Sequence, residues 1–174
     1  MRFITVPEAT EWARAHGYNF QPFGTQARLD SDAFRTRRYA TPEDAGARVA
    51  LCRSLWESIV HGQPEALLWV TEWGVWPSGE HLPLIQTLRT AHGESRPLIE
   101  APGLHFRASD DDAAFSFFIL SALFLWDCYL LAPSGESGAF LSHDEFLRVF
   151  ARSPDALFGL ERRLASFELE PLED

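Results

Sequence analysis

Apolar residues recur at helical spacing through "TPEDAGARVALCRSLWESIVHG" (41–62), where Ala45, Val49, Cys52, Trp56 and Ile59 fall on one face. Thr41 as N-cap, Pro42 in the first turn and Gly62 at the end frame a helix there. "TVPEATEWARAHG" predicts another: Thr5 and Glu8 form a capping box, and Gly17 stops it. Residues 18–33 carry no period and read as loop, and "FRTRRYA" (34–40) reads as a short strand. "EALLWVTEWGVW" (65–76) alternates instead. Leu67, Trp69, Thr71, Trp73 and Val75 make one face, with Leu68, Val70 and Glu72 on the other. Both faces are apolar, as in a central strand covered on both sides.

"EHLPLIQTLRTAHG" predicts a helix with Leu82, Ile85 and Leu88 inward, and "GLHFRAS" (103–109) a strand. "LSHDEFLRVFAR" predicts a helix launched by a second capping box, Ser142 with Glu145, and buried through Phe146 and Phe150. Ser153 and Pro154 open a last helix with Leu157, Leu160, Leu164 and Phe167 on one face, and "ELEPLED" reads as a frayed end.

The longest apolar run, "AAFSFFILSALFLWDCYLLAP" (113–133), is the one that needs arbitration. Its charge-free stretch, Ala113 to Trp126, is shorter than the roughly 18–20 residues a membrane span requires, and extension places Asp127 in lipid at a cost of several kcal/mol. The run therefore splits into a buried helix from 111 to about 121 and a strand from about 123 to 131. Asp110 to Asp112 sit at the helix N-terminus, and "PSGESGAFLS" turns the strand into a hairpin. The sum is one domain over residues 1–174, of α+β class, with a mostly antiparallel sheet of four or five strands packed with helices.

Charge narrows the partners. The chain has a formal net charge of −10, and all 15 basic residues are Arg. Such a surface opposes nucleic-acid binding and suits a basic partner protein. No positive patch precedes an apolar segment at the N-terminus, so the cytoplasm is the default expectation. Cys52 and Cys128 have no metal-ligand spacing, and Cys52 reads as core filler. No nucleotide, metal or other cofactor motif is present, so neither a cofactor nor a metal is expected.

Candidate chemistry centres on Glu72 and Asp127, the lone carboxylates of two apolar strands. A buried carboxylate must be paired, hydrogen-bonded or protonated. Neighbouring strands would make the two an acid/base couple or a site for a small cationic ligand. The plainer reading gives each an arginine, from Arg35, Arg37, Arg38 or Arg107, or a place at a strand end in water. His143, Asp144 and Glu145 are consecutive, and on a helix they cannot all converge on one ion. His143 could still join Asp127 or His105. "GESGA" (135–139) resembles the G-x-S-x-G elbow, but Ser137 lacks the strand-to-helix context and is set aside. Trp69 and Trp73 read as core on a shared face. Trp76, at the strand's end, is the candidate protein-binding anchor.

"FLWDCYLLAPSGESGAFLSHDEFLRVF", with its "WD" strand, hairpin loop and "SHDE" helix start, resembles the C-terminal half of small uncharacterised bacterial proteins, including immunity-type proteins of toxin systems. "LLWVTEWGVWPS" is similar to the same group. The resemblance implies a protein-binding role and carries over no catalytic residue. The leading expectation is an acidic interaction module that binds a basic partner, with Trp76, Asp144 and Glu145 on its face. The competing one is a small enzyme or ligand-binding protein whose cleft holds Glu72, Asp127 and His143.

Overall fold

A computed structural model describes residues 1–23, 26–73 and 82–173. It is an α+β fold with antiparallel strand pairing throughout. The strands in chain order are β1 (Arg2–Ile4), β2 (Phe20–Phe23), β3 (Gln26–Leu29), β4 (Arg35–Ala40), β5 (Glu65–Glu72), β6 (Gly103–Arg107), β7 (Asp127–Leu131), β8 (Ser137–Leu141), β9 (Phe146–Ala151) and β10 (Pro171–Leu172). Eight form one sheet in the order β1-β6-β5-β7-β8-β9-β4-β10, and β2 and β3 form a separate hairpin. The helices are α1 (Val6–Ala15), α2 (Ala45–Ile59), α3 (Leu82–Ala91), α4 (Asp111–Leu123) and α5 (Pro154–Leu164).

Two cores sandwich the sheet. Residues of α2, α3, α4 and α5 pack on one face, against Leu68, Val70, Cys128, Leu130, Leu147 and Val149. Ala9 and Ala13 of α1, with Leu29 of β3, pack on the other, against Leu67, Trp69, Tyr129, Leu131, Phe146 and Phe150. β5 and β7 are thus covered on both sides, which explains their two apolar faces.

Local chemistry accounts for most boundaries. Thr5 and Glu8 form the expected capping box of α1. α2 begins later than the sequence implies, because Asp44 rather than Thr41 caps it, its Oδ1 accepting from the Ala47 N–H at 2.8 Å. The Thr41 N–H instead donates to the Glu145 carbonyl at 2.9 Å and stays with the sheet. The long apolar run divides into helix and strand, with the strand starting at 127 rather than about 123. α4 ends at Leu123, Leu125 takes a left-handed φ of 53°, and β7 starts at Asp127. Among the described residues no helix is long and apolar enough to cross a membrane.

Four expectations are corrected. The sheet has eight strands, not four or five. Residues 18–33 are not loop throughout, since β2 and β3 lie there. The segment after Ser142 is strand β9, not a helix. A spacing of four residues fits period 2 as well as period 3.6, so Phe146 and Phe150 share a face either way; Leu147, Val149 and Ala151 fill the opposite core, which only a strand allows. The acidic end is not wholly frayed, because Pro171 and Leu172 pair with Tyr39 and Arg38.

Candidate functional site

The site forms where β7 begins and the β8–β9 hairpin turns. β5 and β7 are neighbours, and the ladder sets Val70 opposite Cys128 and Glu72 opposite Asp127. Thr71 is therefore an extra residue in β5, a bulge. Strict alternation would turn Glu72 to the helix-covered face with Leu68 and Val70. The bulge turns it to the Asp127 side instead. It also sends Trp73 to the helix-covered core, so Trp73 and the buried Trp69 occupy different faces, contrary to the sequence expectation.

His143 arrives on the hairpin loop between β8 and β9. The Ser142 N–H donates to the Phe146 carbonyl at 2.9 Å, the Glu145 N–H donates to the Ser142 carbonyl at 3.1 Å, and Glu145 adopts a φ of 60°. This is the hairpin that the Ser142–Glu145 pair builds in place of a capping box. It sets both the backbone N–H and the ring of His143 on one carboxylate: the N–H donates to Asp127 Oδ1 at 2.7 Å, and Nδ1 lies 2.9 Å from the same atom. Glu72 Oε2 stands 3.5 Å from Nδ1, and Asp144 Oδ1 stands 3.4 Å from Nε2.

Ligand atoms of Glu72, Asp127 and His143 all lie within 4.8 Å of one another. Asp127 is buried, with 6% of its surface exposed, while Glu72 and His143 are partly exposed. Together they open onto a cleft of about 320 Å³ lined also by Thr71, Tyr129, Phe140 and the arginines Arg28 and Arg148. The β2–β3 hairpin fixes one side: the Leu29 N–H donates to the Tyr129 hydroxyl at 3.3 Å, and the Phe20 ring meets the rings of Trp69 and Tyr129. Burial disfavours the imidazolium of His143, but the negative charge of Asp127, Asp144 and Glu72 outweighs it and holds the pKa above the ordinary histidine value.

Glu72, Asp127 and His143 thus meet, whereas the other candidates disperse. Asp127 is held by His143. Arg37 pairs with Glu161, and Arg38 lies over the Phe146 ring. His105 sits 3.1 Å from Glu65 at the opposite end of β5. Ser137 opens β8, and its carbonyl accepts from the Tyr18 hydroxyl. Asp144 is 72% and Glu145 58% exposed at the side chain, the latter 3.6 Å from Arg48. Trp76 lies outside the described residues. Tyr129, Phe140 and Arg148 were missed as cleft residues. Their even-spaced positions on β7, β8 and β9 are the signal, readable only once β9 is known to be a strand.

Comparison of the chain with protein-family models, with curated proteins and with solved structures finds no match.

Proposed function

We propose that the protein is a ligand-binding protein or small enzyme whose cleft takes a divalent metal ion on Glu72, Asp127 and His143. One observation carries this reading: two carboxylates and an imidazole, from three separate segments, bring their ligand atoms within 4.8 Å of one another at the mouth of a cleft. One nitrogen and two oxygen donors suit zinc, manganese or iron better than magnesium or calcium, which prefer oxygen alone. Three protein ligands leave further positions to water or substrate, so a bound ion would supply Lewis acidity or an activated water. His143 must shed its proton to ligate, so binding strengthens as pH rises through its elevated pKa.

Isothermal titration with Mn²⁺ and Zn²⁺ tests the proposal. The expected result is one site per chain, a proton released on binding, and at least about a tenfold loss of affinity in Asp127→Asn and Glu72→Gln. Flat isotherms, or full affinity in both variants, would overturn it. A protein-interaction role draws support from a different observation, the exposure of Asp144 and Glu145 beside the cleft, whose charge suits a basic partner.

A further inference from the structure

On the other face of the sheet, α3 carries a cation into the core. Arg89 is 1% exposed, and its Nη2 donates to the Ala101 carbonyl at 2.7 Å. Among the described residues its Nε and Nη1 are buried with no acceptor. The guanidinium lies over the Phe3 ring, 4.9 Å from the centroid. Glu94, whose charge acts on it, is bound by Arg96 through Nη2 at 2.6 Å and Nε at 3.0 Å. Arg89 lines a small cavity with Trp73 and Trp126, and among the described residues the indole Nε1 of each is likewise buried without an acceptor. The other walls include Leu68, Ile85, Leu104 and Phe117.

Among the described residues, these donors and one positive charge therefore line a space whose other side chains, Ser121 apart, are apolar. A buried donor without an acceptor costs about 1–3 kcal/mol, and an unpaired buried charge costs more. Water would satisfy the donors but not the charge. An anion satisfies both.

We propose that this cavity is a receptor for one small monovalent anion, held by Arg89 and the Trp73 indole with Trp126 adjoining. Size sets the class. The room is about 20 Å³, enough for one particle of water or halide dimensions. The apolar walls favour a singly charged, weakly hydrated ion such as bromide over sulfate or phosphate, which lose far more hydration on entry. The site shares no residue with the Glu72–Asp127–His143 cleft, so each stands or falls alone.

The test is thermal unfolding in chloride-free buffer at fixed ionic strength, with bromide replacing gluconate, paired with diffraction from bromide-soaked crystals. Bromide is expected to raise Tm saturably by about 3 °C or more, and to give an anomalous peak beside Arg89. Arg89→Met removes the charge and should abolish both effects. Should that variant fail to fold, Trp73→Phe keeps the ring and is expected to weaken the bromide response severalfold. A Tm that ignores bromide, or a soaked crystal with no anomalous signal at Arg89, would overturn the proposal.

Discussion

His143 draws its character from what lies around it. Folding raises its pKa, so the native state binds the proton more tightly than the unfolded chain does. The stability this supplies is complete below the ordinary histidine pKa of 6.5 and is lost as pH climbs through the higher folded value. Asp127 is the foremost group raising that value, through charge and through the 2.9 Å contact to Nδ1. In Asp127→Asn the pKa of His143, followed by NMR of its ring protons, is expected to fall clearly from its wild-type value. An unchanged titration would mean that Glu72 and Asp144 govern the ring instead. At this scale the sequence was informative about identity but not about contact. Glu72 and Asp127 stood out as lone acids in apolar strands, and His143 as an option. Nothing in the spacing around Thr71 reveals the bulge that turns Glu72 toward them, because a bulge is a property of the strand pair and not of one strand.

Elements whose signals are local were legible: the capping box of α1, the Ser153–Pro154 start of α5, and the alternation of β5. Those needing a partner were not. β1 and β10 are too short to display a period, and β9 mimics a helix through its four-residue spacing. The core layer between β8 and β9 shows how tightly such pairing is specified. Gly138 lies opposite Leu131 on β7 and Phe150 on β9. A Cβ there would stand 2.6 Å from the Phe150 ring and 2.9 Å from the Leu130 carbonyl. The carbonyl cannot retreat without opening the ladder. Gly138→Ala is therefore expected to destabilise by about 1–3 kcal/mol, read as a lower urea midpoint at unchanged m. A midpoint equal to wild type would mean that the Phe150 ring moves aside freely.

For the whole molecule, the thiols report on how completely the helix-covered core is closed. Cys52 and Cys128 are both buried, and burial pushes the Cys52 thiol up to about 12 and the Cys128 thiol well above its usual range. Neither is a nucleophile in the native state. Labelling by a disulfide reagent at neutral pH is expected to proceed only at the rate of unfolding, with both thiols reacting promptly in urea. Rapid labelling of either without denaturant would reveal local opening of α2 or β7. The strand order has a mechanical consequence as well. β1 and β10 hold opposite edges of the sheet, so tension applied between them runs across the strands rather than along them. Under such a load the ladders open bond by bond, like a zip, instead of shearing all at once. Each edge strand has only two or three paired residues to resist the first pull. Stretched between those strands, the sheet would peel from its rims at low force while its centre was still closed.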